Sequence, residues 1–295
     1  MTDNQPTIIC FGEVLWDLLP GGKMAGGAPM NVAYHLHNFG SSSKIISRVG
    51  NDENGKEILQ FLEDRGVSTD LVQTDAFYPT GTVKVQLDDK GSPAYEIVQP
   101  VAWDYINVDL ANQKAVKQAD AFVFGTLATR NNRTKETLVA LLEKAPLKVL
   151  DVNLRPPFFN QGFLDYLLQK ADIVKMNDEE LALIGSWYFD EKEEIALAQL
   201  VKRYFQITIL IVTQGSKGAF AVDPLNHIKS VTAKKVTVAD TIGSGDSFLA
   251  GFMYQYLMNE PLLVCLDFAA RTGALVATKR GGTPKISEDM VASLG

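Results

Sequence analysis

A carboxylate directly follows a short glycine-rich loop near the C-terminal end of the chain. The loop runs from Asp240 to Asp246 and reads DTIGSGD, and aromatic residues spaced by four from Phe248 onward predict a helix after it. Backbone N–H groups at a helix N-terminus can bind an anion, and glycines let a phosphate approach the backbone closely. A carboxylate at that place repels the anion, which makes sense if it must accept a proton from an attacking hydroxyl. The loop therefore predicts phosphoryl transfer, with a plain helix cap as the alternative.

Strands and helices alternate along most of the chain, which predicts a parallel sheet covered by helices on both faces. The strand predicted at 208–212 is apolar throughout, as burial on both faces requires. A strand over 235–239 is predicted to lead into the glycine-rich loop, and active sites of such sheets lie beyond strand ends. The other predicted strands cover 7–11, 44–49, 121–124, 148–150 and 173–174, and the predicted helices cover 29–39, 53–65, 133–144, 162–170, 178–184 and 191–204.

Residues 80–100 interrupt this alternation with a hairpin pattern. The segments 82–87 and 94–98 alternate with a period of two, and Asp88–Gly91 supplies turn residues between them. The segment 12–19 also alternates and ends at a proline followed by two glycines. We expect the hairpin to be an insertion of antiparallel strands into the α/β chain.

The composition is that of a globular protein with one large domain. Of the 295 residues, 46% are hydrophobic and 21% are charged, and the net charge of -7 argues against a broad nucleic-acid-binding surface. Cys10 and Cys265 lie in apolar runs, which predicts buried, reduced thiols. No apolar stretch approaches the ~18 residues that span a bilayer, and residues 1–6 are too polar for a signal peptide, so a cytoplasmic location is expected.

The loop and the residues after it closely resemble the C-terminal signature of the ribokinase-like (pfkB) carbohydrate kinases. The N-terminal signature of that family is similar to Gly26–Ala33, more than 200 residues earlier in the chain. The resemblance covers nearly the whole chain and implies an α/β, ribokinase-like three-layer sandwich with a Rossmann-like, mostly parallel sheet. It also implies a single kinase domain over residues 1–295, with a small β-sheet lid formed by strands near 12–20 and 80–105.

Within this family the chain looks most like the fructokinases, which transfer the γ-phosphoryl group of ATP to the 6-hydroxyl of fructose. Kinases of the same fold that act on ribose, 2-keto-3-deoxygluconate, a nucleoside or a sugar phosphate are the alternatives. A sugar- or nucleotide-binding regulator without catalysis is a more distant one. The segments similar to the fructokinases are Phe11–Asp17, Gly27–Asn31, Ser47–Gly50, Ala102–Asp104 and Asp151–Pro157.

The resemblance assigns the phosphoryl-transfer chemistry to two segments. Asp246 is expected to be the catalytic base, and Gly243, Ser244 and Gly245 are expected to form an anion hole for the transferring phosphoryl group. Preorganised donors of this kind are commonly worth about 3 kcal/mol of barrier each. Arg155 precedes two prolines and is expected to neutralise phosphate charge, with a surface salt bridge as the alternative.

Four residues match family positions around the sugar. Asp17, Gly27 and Asn31 are expected to hold its hydroxyls, because a carboxylate and an amide can bind neighbouring hydroxyls. Trp103 could close the pocket from the lid, and a core aromatic is an equal alternative.

The nucleotide and metal positions are also implied by resemblance. Thr213, Gly215 and Gly218 are expected along the nucleotide. Asn177 and Glu180 match an Asn-x-x-Glu motif associated with magnesium and phosphate, although the same residues form a helix capping box. Glu180 is expected to reach a magnesium ion through water, because that ion keeps its waters and the ATP oxygens as ligands.

Cation dependence and assembly are two further expectations from the family. Asp240 and the Ile242 carbonyl match ligands of a monovalent cation in many members, while Lys285 departs from the potassium-dependent pattern and leaves potassium open. Lid strands of this family often pair between subunits, so a homodimer through the lid is expected. ATP and magnesium are the expected cofactors, and neither a membrane nor a nucleic acid is an expected partner.

Overall fold

The computed structural model describes residues 5–19, 21–87 and 93–294, and the predicted turn Asp88–Gly91 lies outside them. Within these ranges the chain forms two β-sheets and a set of helices. The strands are β1 (Thr7–Phe11), β2 (Leu15–Leu19), β3 (Gly22–Gly26), β4 (Ser42–Gly50), β5 (Val72–Asp75), β6 (Gly81–Leu87), β7 (Pro93–Ile97), β8 (Ala121–Gly125), β9 (Lys148–Asp151), β10 (Ile173–Asn177), β11 (Ile209–Thr213), β12 (Ala219–Val222) and β13 (Ile228–Val231). The helices are α1 (Ala28–Asn38), α2 (Glu53–Glu63), α3 (Leu110–Gln118), α4 (Asn132–Leu142), α5 (Gln161–Lys170), α6 (Asp178–Ser186), α7 (Glu194–Tyr204), α8 (Ser244–Leu257), α9 (Leu262–Ala277) and α10 (Glu288–Ser293).

The larger sheet has the order β13-β12-β11-β10-β9-β8-β1-β4-β5. The strands from β5 across to β11 run parallel to one another. β12 pairs antiparallel with both of its neighbours, β11 and β13. Alternate residues of β1 enter opposite cores: Ile8 and Cys10 pack with α1, α2, α8 and α9, whereas Ile9 and Phe11 pack with α3 to α7. Side chains of a strand alternate between faces, so a fully apolar strand requires two covering layers. The three-layer α/β sandwich predicted from the sequence is therefore confirmed.

The smaller sheet has the order β3-β2-β6-β7. The predicted hairpin forms its outer half, where β6 and β7 pair antiparallel, and β2 pairs parallel with β6. Alternate residues of β2 (Leu15, Asp17 and Leu19) point to one face, together with Val83 of β6. This face covers the carboxyl ends of the larger sheet, so the second sheet forms a roof over that edge.

The predicted strand Lys235–Ala239 is wrong. These residues join neither sheet, and Val238 is 57% exposed. The N–H of Ala239 instead donates to the carbonyl of Ala277 at the end of α9. A single strand with alternating β-branched residues needs a free sheet edge to pair with, and the sequence pattern alone does not show whether one is available.

None of the helices in the described ranges combines the length and apolarity that a membrane-spanning helix requires.

Candidate active site

A cavity of about 550 Å³ lies between the carboxyl ends of the parallel strands and the second sheet. Its position is the usual one for a ligand site in such a sheet. Most of the residues singled out from the sequence line it, although they come from six separate segments of the chain. The predicted site residues that line the cavity are Asp17, Gly27, Asn31, Arg155, Asn177, Glu180, Thr213, Ile242, Gly243, Gly245 and Asp246.

The glycine-rich loop forms one wall of the cavity at the N-terminus of α8. Gly243 is the N-cap residue in the left-handed conformation, with φ 75°, and a Cβ there would lie 2.4 Å from the Cα of Gly282. Only glycine meets both demands. The Ser244 N–H donates to the Thr241 carbonyl at 3.2 Å, so the first-turn N–H groups of Gly245 and Asp246 are the ones left without an intrahelical partner. The loop therefore presents donors and the positive end of a helix dipole to the cavity.

Asp246 stands beside this wall and contacts Asn31, one of the residues that the resemblance assigns to the sugar. The Nδ2 of Asn31 donates to its Oδ2 at 2.8 Å, which links the start of α1 to the start of α8. Burial and the charge of Asp151 raise the pKa of Asp246 to about 6, against the opposing effects of Lys175, Asn31 and Arg155. A carboxyl group with this pKa is ionised near neutral pH and remains a better proton acceptor than an ordinary aspartate.

Asp17 enters the cavity from β2 in the roof. A Cβ on Gly26 of the paired strand would lie 2.6 Å from its Oδ2, so the glycine makes room for the carboxylate. Burial, with a smaller effect from the charge of Asp240, raises the pKa of Asp17 to about 6. Asn31 faces the same space, and its Oδ1 is buried with no hydrogen-bond partner among the described residues. Asp17 and Asn31 therefore offer the cavity acceptor oxygens that have no donor among the described residues.

Lys175 on β10 is a cavity residue that the sequence analysis missed. Its ammonium group donates to both oxygens of Asp151, at 2.9 and 3.1 Å, and both side chains are at most 9% exposed. Burial lowers the pKa of Lys175, but the charges of Asp151 and Asp246 outweigh it and leave that pKa raised. The available signal was a lysine inside an otherwise apolar strand, Ile173-Val174-Lys175-Met176.

Glu13 is the second cavity residue that was missed. It is 3% exposed, its Oε1 accepts from the N–H of Ala28 at 3.2 Å, and its Oε2 is buried without a partner in the described part of the chain. Burial is the largest of the causes that raise the pKa of Glu13 to about 7. The only sequence signal was a carboxylate directly after Gly12, the glycine that follows β1.

Comparisons with known proteins agree with this geometry. The family model for pfkB family carbohydrate kinases matches residues 12–289. The chain belongs to the pfkB family of carbohydrate kinases. A fructokinase of Klebsiella pneumoniae is 30% identical over 305 residues, which cover 96% of this chain and 98% of the relative. The chain is therefore an ATP-dependent carbohydrate kinase, as the sequence predicted.

Solved structures of the family share the fold. An ATP-bound fructokinase from Xylella fastidiosa has a TM-score of 0.86 and 24% identity, and covers 98% of this chain and 97% of its own. A double mutant of the fructokinase from Vibrio cholerae O395, bound to fructose, ADP and potassium, has a TM-score of 0.85 and 24% identity, and covers 100% of this chain and 99% of its own. These likenesses confirm the ribokinase-type fold.

The Asn-x-x-Glu motif of this pfkB chain forms the predicted capping box. The Oδ1 of Asn177 accepts from the N–H of Glu180 at 2.7 Å, while the Glu180 Oε2 accepts from the N–H of Asn177 at 2.9 Å. The other oxygen, Oε1, accepts from the N–H of Leu154 at 2.7 Å and so fixes the loop that carries Arg155. Within the described residues no cluster of acidic, histidine or cysteine side chains could hold a metal unaided. Both oxygens of Glu180 accept backbone hydrogen bonds, so its water-mediated contact with a nucleotide-bound magnesium ion remains a prediction.

Asp240 closes the glycine-rich loop. Its two oxygens accept from the N–H groups of Ile242, at 3.0 Å, and Gly281, at 2.9 Å. Ile242 lines the cavity, whereas Asp240 does not. Lys285 is exposed. Asp240 thus has a structural function in the loop, and its role toward a monovalent cation remains a prediction.

Five predicted residues lie outside the cavity lining: Asp240, Ser244, Trp103, Gly215 and Gly218. Trp103 is fully buried in the core formed with α3 to α7, where the guanidinium of Arg130 stacks 3.9 Å from its ring centroid. In this conformation Trp103 is a core aromatic, the second of its two sequence interpretations. Gly215 and Gly218 lie in the turn after β11 and adopt positive φ values of 55° and 117°.

The pKa of Asp246 predicts an acidic limb in the activity profile. Proton abstraction needs the ionised carboxylate, so kcat/KM should fall about tenfold per pH unit below a midpoint near the pKa of about 6. A coupled ADP-release assay between about pH 5 and pH 8 measures this, with the coupling enzymes in excess at each pH. A flat profile down to pH 5 would contradict the assignment of Asp246 as the base.

We expect that neutralising the Glu13 side chain raises the free energy of unfolding by an amount that depends on pH. Its folded pKa of about 7 lies above the ordinary value of 4.5, so its contribution favours folding at low pH and is lost as pH rises through 7. Glu13→Gln keeps an acceptor for Ala28 and removes the buried charge. We expect the variant to exceed the wild type in free energy of unfolding by roughly 1–3 kcal/mol at pH 8 and by little at pH 5. Urea unfolding at both values measures it, and an equal difference at both would refute the explanation.

Proposed function

We propose that the chain catalyses the transfer of the γ-phosphoryl group of ATP to the 6-hydroxyl of D-fructose. The observation that supports this most directly is the position of Asp246, between free N–H donors at the start of α8 and the polar group formed by Asp17 and Asn31. A base must reach the proton of the acceptor hydroxyl while the hydroxyl oxygen lies in line with the phosphoryl group. The fructokinase relatives favour fructose among the sugars that fit this arrangement.

In the proposed mechanism, Asp17 and Asn31 hold hydroxyls of the sugar and direct the reacting hydroxyl at Asp246. Asp246 accepts the hydroxyl proton while the sugar oxygen forms a bond to the γ-phosphorus and the bridging P–O bond to ADP breaks. The N–H groups of Gly243, Gly245 and Asp246 stabilise the charge on the phosphoryl oxygens, whereas the N–H of Ser244 already donates to the Thr241 carbonyl. Arg155 at the cavity rim neutralises phosphate charge. Thr213, Gly215 and Gly218 contact the nucleotide.

A sugar phosphate is disfavoured as the acceptor by the pairing of the candidate cations. Arg130 is bound within a buried ion pair with Asp104 at 2.6 Å. Arg133 donates to Asn107, and Lys84 lies 3.9 Å from Glu96 in the second sheet. These cations therefore do not form a phosphate-binding cluster at the cavity.

A nucleoside is disfavoured because the described lining of the cavity contains no aromatic side chain. A base would need such a surface to stack on. Trp16 and Trp103 are 6% and 0% exposed and belong to the two cores. The side chain of Tyr95 lies outside the described residues.

A coupled ADP-release assay with ATP and magnesium tests the proposal on fructose, ribose, adenosine, 2-keto-3-deoxygluconate and fructose 6-phosphate. A kcat/KM for fructose at least tenfold above the others is the expected result. Preference for another sugar would overturn the substrate and leave the phosphoryl-transfer machinery in place. Absence of turnover on all five would favour the non-catalytic regulator.

Removing the Asp17 carboxylate tests the sugar side of the site. Asp17→Ala should raise KM for fructose by about 10–100-fold, because a hydrogen bond to a charged group is lost, while KM for ATP changes little. Steady-state kinetics with each substrate varied in turn measures both constants. An equal rise in both would place Asp17 outside the sugar subsite. Lys84→Ala is the control, since this exposed side chain on the roof does not line the cavity.

Magnesium, a monovalent cation and a homodimer belong to the same proposal. Magnesium is proposed to bind with ATP, near Glu180, and potassium beside the loop at Asp240 and Ile242. Activity with and without each ion tests both. The homodimer is proposed to pair through the second sheet, whose edge strands among the described residues are β3 and β7. Light scattering coupled to gel filtration measures the mass in solution.

A further inference from the structure

Lys175 brings a buried positive charge to the anion-binding wall. It lines the cavity, and a Cβ on Gly245 would lie 3.1 Å from its Nζ, so the ammonium group lies directly against the glycine-rich loop. A side chain at position 245 would push into this group, which gives that glycine a reason beyond loop flexibility. The lysine and the start of α8 therefore face the same volume.

The ammonium group has donor capacity that Asp151 does not use. A lysine ammonium carries three N–H donors, and Asp151 accepts at 2.9 and 3.1 Å. No other acceptor for Lys175 is found among the described residues, which leaves one N–H for a group in the cavity. The carboxylate fixes the flexible lysine, so the remaining donor is held in place before a ligand arrives.

The local charges also require a cation at this position. Asp151, Asp246 and Glu180 each act on Lys175, and a phosphoryl group at the loop would add more negative charge beside them. Arg155 is exposed at the rim, whereas the Lys175 side chain is only 9% exposed. A charge shielded from water acts on its neighbours far more strongly than an exposed one. A buried pair that served stability alone could be replaced by apolar residues without loss.

We propose that Lys175 is a further catalytic residue, whose ammonium group donates a hydrogen bond to the transferring phosphoryl group, and that Asp151 positions it. This rests on the proposed kinase function and extends the anion hole from backbone donors to one buried cation. The group touches the γ-phosphoryl of the nucleotide and leaves the rest of the nucleotide to other residues. Its removal must therefore affect ATP and ADP differently.

Binding of two nucleotides to Lys175→Met tests the contact. Calorimetric titrations, carried out in the presence of magnesium, compare the affinity for ADP with the affinity for the non-hydrolysable analogue β,γ-imido-ATP. The affinity for the analogue should fall about 10–100-fold, as expected for a lost charged hydrogen bond, and the affinity for ADP by less than about twofold. The kcat should fall about 10²–10³-fold. The proposal would be overturned if the affinities for both nucleotides fell equally, or if neither affinity fell.

Two variants separate contact from folding. Lys175→Met leaves Asp151 charged and unpaired, so the double variant Lys175→Met/Asp151→Asn supplies a fold without that buried charge. This double variant should show the same selective loss of affinity for the analogue. Arg48→Met is the matched control, since it breaks an ion pair with Asp75 (2.7 Å, 16% and 2% exposed) away from the cavity. It should leave the ratio of the two affinities unchanged, and a change as large as that of Lys175→Met would refute the contact.

The activity profile gives a second, independent readout. Lys175 lowers and Asp151 raises the pKa of Asp246. The acidic limb of kcat/KM should therefore move to higher pH in Lys175→Met and back toward lower pH in the double variant. The profile is measured with the sugar that the wild type turns over fastest. If fructose is not that sugar, only the substrate proposal fails. If none is turned over, the kinase proposal fails as well, and the nucleotide titration then decides only whether Lys175 contacts the γ-phosphoryl group.

Discussion

Replacing Asp246 with asparagine is expected to lower kcat by about 10²–10⁴-fold, the usual contribution of a positioned general base. The amide keeps the size of the side chain and can still contact Asn31, which holds the carboxylate at 2.8 Å in the wild type. It cannot accept the hydroxyl proton. Because the change removes a function exerted in the transition state, the KM values for ATP and the sugar should change little. Steady-state kinetics with both substrates measures the effect.

A remote aspartate provides the control for this variant. Asp267 on α9 pairs with Lys234 at 2.9 Å and Arg271 at 2.7 Å, away from the cavity. Asp267→Asn should keep kcat within about twofold, since surface ion pairs contribute about 0–1 kcal/mol even to stability. If the Asp246→Asn variant turned over at the native rate, Asp246 would be excluded as the base, whatever the substrate.

The parts of the site that follow from local sequence were predictable. A glycine-rich loop followed by a period-four apolar pattern predicts a helix N-terminus, and α8 begins at Ser244 within that loop. The hairpin of β6 and β7 followed from period-two alternation and turn residues. These features depend on residues close together in the chain, where backbone preference and patterning act directly.

The parts that depend on distant residues were not predictable. Lys175 resembles any lysine in an apolar strand until β9 brings Asp151 within 2.9 Å of it. Glu13 acquires its raised pKa from burial, which no spacing in the sequence states. β3 was missed for a different reason: Gly22–Gly26 has two glycines and no β-branched residue, so its strand form depends on pairing with β2. Tertiary structure decided each of these cases, by pairing for Lys175 and β3 and by burial for Glu13.

Gly243→Ala should disable the anion-binding wall with the smallest possible change in sequence. The new methyl group would lie 2.4 Å from the Cα and 2.8 Å from the carbonyl oxygen of Gly282, and the backbone there has φ 75°. Relief requires the loop or the start of α8 to move, which displaces the N–H groups that face the phosphoryl group. We expect kcat to fall about 10²–10³-fold and the free energy of unfolding by about 1–3 kcal/mol. Kinetics and urea unfolding measure the two effects.

The control variant Gly40→Ala separates the effect of backbone strain from the effect of displaced N–H donors. Gly40 also has a positive φ, 92°, but no atom lies within 4 Å of the Cβ position, so the variant carries the conformational cost alone. It should lose about 1 kcal/mol of stability and keep its kcat. If Gly243→Ala behaved like Gly40→Ala, the loop would tolerate a shift against Gly282 and could not be the rigid donor array that phosphoryl transfer requires. A loss of kcat confined to Gly243→Ala would instead mean that sub-ångström placement of these N–H groups limits the reaction, because both variants bear the same kind of strain.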